Sequence, residues 1–143
     1  MVCLGNICRS PLAQGILESK VDHTVFVDSA GTSGWHDGKL ADPRSIEIAK
    51  IKGLDITSQR SRKFIQADFN KFDVIYAMDK SNYTNILALA RDDKDRQKVK
   101  MILNEISANN EDVPDPYYGG DNGFVNVYNM LDDACDIIAS KIL

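Results

Sequence analysis

Cysteine, histidine and long apolar runs are all scarce in this chain, and each shortage removes a class of function. Only three cysteines and two histidines occur in 143 residues. Cys3, Cys8, Cys135, His23 and His36 show no ligand spacing, so no metal site and no cofactor are expected. An odd cysteine count without a disulfide framework fits a reducing, cytoplasmic setting. No apolar stretch reaches membrane-spanning length and no signal peptide opens the chain, so no membrane partner is expected. A formal net charge of −4, with no Lys/Arg run, argues against nucleic acid. Neither histidine sits in a partner pattern, which disfavours a Cys–His protease and assigns both to surface or packing roles. There is also no internal repeat or linker, so residues 1–143 read as one domain with enough chain to bury a core.

What is present is concentrated at the start, in Cys3-Leu4-Gly5-Asn6-Ile7-Cys8-Arg9-Ser10-Pro11. A cysteine, a short loop, an arginine and a helix start together suit a tetrahedral dianion. Backbone N–H groups can converge on it, the helix adds partial positive charge, and Arg9 offers a planar fork of donors. The same field lowers the pKa of a thiol beneath the anion, so Cys3 is expected as a thiolate and an in-line nucleophile. A buried core cysteine is the plain alternative. The loop chemistry outweighs it: Gly5 allows unusual dihedrals, Asn6 tolerates left-handed backbone, Ser10 suits an N-cap and Pro11 the first helical position. With a negative chain overall, an anionic substrate must be attracted locally, by Arg9 and the loop amides.

Strand and helix patterns alternate along the rest. Residues 11–21 read as a helix, His23–Ser29 as a strand and Ala30–Ala41 as a loop. Asp42-Pro43 opens a second helix that Gly53 ends, and Leu54–Thr57 is a short strand candidate. A helical turn near Gln66–Asn70 precedes a strand over Asp73–Met78. Lys80–Ala90 is helical, residues 91–98 a solvated connection, and Val99–Leu103 a further strand. After a polar loop from Ser107 to Gly123, a last helix carries Phe124, Val127, Tyr128, Leu131, Cys135, Ile138 and Ile142 on one face. Such alternation predicts an α/β fold with a parallel sheet covered on both faces, its ligand site beyond the carboxyl ends of the strands. Only Met1 and Val2 precede Cys3, so the first strand is expected to lack part of the usual length of about five or six residues.

A thiolate stabilised by loop amides needs no histidine base. Expelling a phenolate-like oxygen does call for an acid. Asp115, between Pro114 and Pro116 and followed by Tyr117 and Tyr118, is the best candidate. The prolines hold the loop, and the adjacent tyrosines suit the wall of an aromatic cleft. By itself the segment would read as a rigid surface turn. Beside the Cys-Arg loop, the acid is the better reading.

Over nearly its whole length the chain resembles the low-molecular-weight protein tyrosine phosphatases. The phosphate loop, Asp28-Ser29-Ala30-Gly31, Met78-Asp79-Lys80-Ser81-Asn82 and Asp115-Pro116-Tyr117-Tyr118-Gly119 stand in that family's order and spacing. The resemblance implies a three-layer α/β fold, a four-stranded parallel sheet flanked by helices, with the nucleophile loop after the first strand. It implies phosphotyrosine hydrolysis through a cysteinyl-phosphate, with no cofactor. Cys3 would be the nucleophile, Arg9 the phosphate clamp, and Asp115 the acid and then the base. Leu4, Gly5, Asn6, Ile7 and Cys8 would form the substrate loop, with Ser10 bonded to the leaving thiolate. Asn6 would hold the loop, supported by Ser29 and Asp79, while Trp35, Tyr117 and Tyr118 line the cleft. Partners would be phosphotyrosine proteins or peptides, a tyrosine kinase among them, with inorganic phosphate as product.

One departure concerns a histidine that braces Asn6 in many members. Here the run is Thr57-Ser58-Gln59-Arg60, and Gln59 is expected to give a neutral hydrogen bond instead. Cys8 matches the family's second loop cysteine. Oxidation of Cys3 to a sulfenic acid is expected to end in a Cys3–Cys8 disulfide, with Cys135 left free in the core. A thiol-coupled arsenate reductase would need a relay of further cysteines, and a non-catalytic phosphotyrosine-binding module would not need the trio Cys3, Arg9 and Asp115.

Overall fold

Alternating apolar residues in four short stretches pair side by side, and the helices between them cover both faces of the resulting sheet. The computed structural model describes residues 1–142. Strands β1 (Val2–Cys3), β2 (Ala30–Gly31), β3 (Ile75–Ala77) and β4 (Val99–Met101) form one sheet in the order β2-β1-β3-β4. Every pairing is parallel, with Val2 opposite both Ala30 and Ala77, and Ile75 opposite Val99. The helices are α1 (Arg9–Glu18), α2 (Pro43–Ile51), α3 (Asp68–Lys71), α4 (Lys80–Leu87), α5 (Asp93–Gln97) and α6 (Asp121–Ile142), with a 3-10 turn at Ile102–Glu105.

Period-two alternation divides the core. Val2, Ile75 and Ala77 join Phe69, Ile86, Val99 and Met101 on one face, against α3 and α4. Cys3, Tyr76 and Met78 turn to the other face, where α1, α2 and α6 pack Leu12, Ile16, Ile48, Val127, Leu131 and Cys135. Complete burial of a leucine- or valine-sized side chain is worth roughly 1.5–3 kcal/mol, so the apolar stripe of α6 pins α1 against the sheet. That fixes the start of α1, and with it Arg9.

Several boundaries differ from the sequence reading, each for a bonding reason. The expected strand His23–Ser29 is displaced to Ala30–Gly31, inside the expected loop. Its ladder with β1 runs only along Met1–Cys3, where the Met1 amine donates to Asp28 O and Ala30 N donates to Met1 O. Leu54–Thr57 is not a strand, because its donors bond locally: Leu54 N to Ala49 O and Thr57 N to Asp55 Oδ1. Residues 91–98 are not a plain connection. Asp92 caps α5 through Asp95 N, and buried Asp95 is held by Arg91. The last helix starts earlier than Phe124. The start of α2 does follow expectation, with Asp42 accepting from Arg44 N, Pro43 in the first turn and Gly53 ending it at φ 82°. None of the described helices is long and apolar enough to cross a membrane.

Candidate active site

Between β1 and α1 the chain turns so that its carbonyls face outward. Thr32 N donates to Cys3 O at 2.9 Å, Ser33 N to Leu4 O at 2.9 Å and Asp42 N to Ile7 O at 2.8 Å. Ser61 Oγ donates to Gly5 O at 3.0 Å, and Ser45 Oγ to Cys8 O at 3.1 Å. In a planar trans peptide the N–H points opposite to the C=O. Five outward carbonyls therefore turn the N–H groups of Leu4, Gly5, Asn6, Cys8 and Arg9 toward the hollow of the loop. One of them shows this directly: Asn6 N donates to Cys3 Sγ at 3.3 Å. Gly31 lets the loop lie this close, since a Cβ there would stand 2.8 Å from Leu4 O.

The left-handed turn sits at Asn6, with φ 54°, and not at Gly5. Gly5 serves packing instead, because a Cβ there would come within 3.0 Å of His36 Cδ2. Asn6 is buried and its side chain points behind the loop. Its Nδ2 donates to Ser10 Oγ at 2.7 Å and Ser29 Oγ at 2.9 Å, and its Oδ1 accepts from Arg62 N at 3.1 Å. Ser29 Oγ in turn donates to Gln14 Oε1 at 2.7 Å. Gln59 does not brace Asn6 as expected. Its Nε2 donates to Pro11 O at 3.1 Å, and the backbone of Arg62 fills the bracing position. Ser10 is not the N-cap of α1, which begins at Arg9. Its hydroxyl is committed at 3.0 Å to Cys3 Sγ and to Asn6.

Arg9 is buried and comes from the first position of α1. Its Nη1 donates to Asp79 Oδ2 at 2.6 Å and to Val113 O at 2.9 Å, while Nη2 lies 3.6 Å from Asp115 Oδ2. Burial works against the charge, but Cys3, Asp79 and Asp115 more than offset it and hold the Arg9 proton above the ordinary arginine value. Asp79 thus bonds to Arg9, and not to Asn6 as the family resemblance implied. Its second oxygen caps α4 through Asn82 N at 2.7 Å.

Cys3, Leu4, Gly5, Ile7, Cys8, Arg9, Trp35, Asp115, Tyr117 and Tyr118 line one cleft of about 240 Å³. The side chains of Asn6, Ser10, Ser29 and Asp79 stand behind it. His36 also lines the cleft, although its position in a Gly-rich loop gave no such signal. The adjacent tryptophan was the one available hint. Asp115 is exposed at the mouth, its Oδ1 accepting from Tyr117 N at 3.0 Å. Trp35 and Tyr118 form an open rim, and the rings of Tyr117 and Tyr118 meet edge to face at 4.9 Å. Burial first, then Asp42, Cys3 and Asp115, pushes the Cys8 thiol up to about 12. Cys135 is fully buried between α1 and α6, and burial likewise raises it to about 12. Among the described residues the cluster of potential metal ligands is Asp132, Asp133 and Asp136 on α6, where Lys20 Nζ already lies 2.9 Å from Asp132 and 2.6 Å from Asp136.

Comparison with known proteins agrees with this geometry. The model of the family described as low molecular weight phosphotyrosine protein phosphatase matches residues 1–142. A low molecular weight phosphotyrosine protein phosphatase of Schizosaccharomyces pombe is 41% identical, over 92% of this chain and 88% of its own. A protein tyrosine phosphatase of Entamoeba histolytica superposes with a TM-score of 0.90 at 37% identity, covering 99% of this chain and 93% of its own. An arginine phosphatase of Drosophila superposes with a TM-score of 0.90 at 31% identity, covering 99% and 94%. The chain belongs to the low molecular weight phosphotyrosine protein phosphatase family and is a phosphoric monoester hydrolase of the protein-tyrosine-phosphatase class.

Proposed function

We propose that this family member hydrolyses phosphotyrosine in two displacements at phosphorus, through a cysteinyl-phosphate on Cys3. In the first, Cys3 Sγ attacks phosphorus in line with the tyrosyl oxygen. The S–P bond forms, the P–O bond breaks, and Asp115 gives its proton to the departing oxygen. In the second, Asp115 takes a proton from water, which attacks phosphorus. Phosphate leaves, and the sulfur keeps the electron pair. The inward N–H groups and Arg9 bind the non-bridging oxygens throughout, where charge is carried in the transition state. Ser10 Oγ and Asn6 N, already on Sγ, stabilise the sulfur as a leaving group.

The observation that carries this reading is the set of five outward carbonyls around the Cys3 sulfur. It supports an anion site built before any anion arrives. Trp35, His36, Tyr117 and Tyr118 at the mouth support an aryl ester as substrate. A phosphotyrosine protein, a tyrosine kinase among them, fits that cleft. We further take residues 1–143 as one domain acting in the cytoplasm without a cofactor, where Cys3, Cys8 and Cys135 remain free thiols.

The test is turnover of phosphotyrosine, phosphoserine and phosphoarginine peptides and of arsenate, with acid quenching to trap phosphate on Cys3. Preference for phosphotyrosine with label on Cys3 is expected. Equal use of phosphoserine, or label elsewhere, overturns the reading. Since Cys3 and Cys8 share the cleft, peroxide should end in Cys3–SOH condensing with the Cys8 thiol to a disulfide and water. Thiol reductant should restore the wild type but not Cys8→Ser. Equal recovery by both would leave Cys8 a packing residue.

A further inference from the structure

Arg44 occupies a position that the catalytic scheme does not use. It lies in the first turn of α2, and that turn is bonded to the phosphate loop twice. Asp42 N donates to Ile7 O at 2.8 Å, and Ser45 Oγ to Cys8 O at 3.1 Å. The Asp42 carboxylate caps the helix and grips Arg44 at the same time. Oδ1 accepts from Arg44 N at 2.8 Å and Nε at 3.0 Å, and Oδ2 from Nη2 at 3.0 Å. So held, the guanidinium reaches two aromatic rings beyond α2. Its Cζ stands 4.5 Å from the Phe124 ring centroid and 5.5 Å from that of Tyr117. Tyr117 N is bonded to Asp115 Oδ1 at 3.0 Å.

We infer that Arg44 is a positioning residue: a strut from the phosphate loop to the acid loop that sets Asp115 relative to the Cys3 sulfur. The inference rests on the reading of Asp115 as the general acid. Three features favour it over a surface ion pair. The carboxylate grips two guanidinium nitrogens, which orients the plane and not merely the charge. Asp42 is itself buried and anchored to the loop. The flat cation faces two rings, Tyr117 within the acid loop and Phe124 in the first turn of α6. A displacement of Arg44 is thereby passed to Tyr117, and through its amide to the carboxylate that must meet the leaving oxygen.

The experiment is kcat/KM over aryl phosphates whose phenols range from weak to strong acids, for wild type, Arg44→Ala, Arg44→Lys, Asp115→Asn and the Arg44→Ala/Asp115→Asn pair. For Arg44→Ala we expect a loss of roughly ten- to a hundredfold with the poorest leaving groups, the scale on which a misplaced catalytic group acts. The loss should shrink as the phenol becomes more acidic and vanish in the Asp115→Asn background. Inhibition by vanadate should stay within about twofold of wild type, since the anion loop keeps its own bonds. Arg44→Lys keeps the cation without the plane and should recover only part of the rate. It also carries the leaving-group series if Arg44→Ala fails to fold. A loss that is uniform across leaving groups, or undiminished beside Asp115→Asn, overturns the inference, as does no loss at all. If Asp115→Asn alone proves insensitive to the leaving group, the acid assignment itself is overturned, and the inference with it.

Discussion

Residues 3–9 and residues 113–120 meet at one cleft and are held in opposite ways. In the first segment Cys3, Asn6, Cys8 and Arg9 are all buried, and five carbonyls and the Asn6 side chain are tied to the residues just after β2, to the start of α2 and to the segment around Arg62. The second is fastened at its start, where Val113 N donates to Met78 O and Val113 O accepts from Arg9. Beyond that it is bonded mostly to itself, through Tyr117 N on Asp115 and Gly119 N on Pro116, and Tyr118 is 94% exposed. Binding a dianion requires dipoles aligned before the ligand arrives, because reorienting them would cost energy at the moment of reaction. Passing a proton to a substrate side chain needs only one group at the right place, on a loop the substrate can slide past. On the proposed mechanism, a tightly bonded site for charge faces a looser site for the proton.

That contrast can be broken most severely at the sulfur. Cys3→Ser should abolish turnover while phosphate or vanadate still binds, because the outward carbonyls do not depend on the thiol. Arg9→Lys should be nearly as severe, since a point charge cannot satisfy Asp79, Val113 O and a phosphoryl group together. Calorimetric binding beside steady-state rates checks both. Turnover by Cys3→Ser at a rate near wild type would remove the covalent scheme.

Asp115→Asn probes the looser side. We expect a drop of roughly 10²–10⁴-fold on phosphotyrosine, the usual range for a general acid, and a smaller drop where the phenol is already acidic. Melting temperature should barely move, because the carboxylate is exposed and its bond to Tyr117 N can pass to the amide oxygen. A large loss of stability would mean that this loop is as structural as the first.

Asn6→Ala should sharpen the difference, acting on stability more than Asp115→Asn does. It leaves Ser10, Ser29 and Arg62 N short of partners and puts alanine at φ 54°. A cost of about 2–4 kcal/mol in denaturant unfolding is expected from the broken bonds and the strained backbone. The activity loss should appear with every leaving group, since it disturbs the anion site and not the acid. Trp35→Ala should have the smallest effect, about two- to tenfold in kcat/KM, the worth of one aromatic contact. That loss should be larger for phosphotyrosine peptides than for small aryl phosphates. An equal effect on both would mean that Trp35 does not meet the peptide.

That Cys3, Arg9 and Asp115 deserve notice was legible because each brings its own local chemistry: a loop before a helix for Cys3 and Arg9, flanking prolines for Asp115, and the fold places all three in one cleft. Asn6 was legible as the left-handed residue, and Asp42-Pro43 as a helix start, for the same local reason. Errors arose wherever a long-range partner decides. His23–Ser29 has strand composition, yet the ladder with β1 runs through Ala30 and Gly31. Ser10 has N-cap chemistry, yet its hydroxyl is claimed by a sulfur seven residues away. Gln59 was matched to a bracing role by its place in the chain, while the backbone of Arg62, three residues on, takes it.

Residue type and spacing along the chain determined the kind of chemistry: a thiol, a guanidinium, a carboxylate and a loop able to present amides. Those are properties of single residues and of short backbone segments, and they survive in a one-dimensional description. Only the tertiary structure decided what each group bonds to. It gave Asp79 to Arg9, drew His36 into the cleft, turned five carbonyls outward toward three separate segments, and set Arg44 between the two loops. Hydrogen bonds and ring contacts act over a few ångströms, so their partners are chosen by packing. That choice depends on the helices and sheet closing on a shared core, and separation in sequence does not record it.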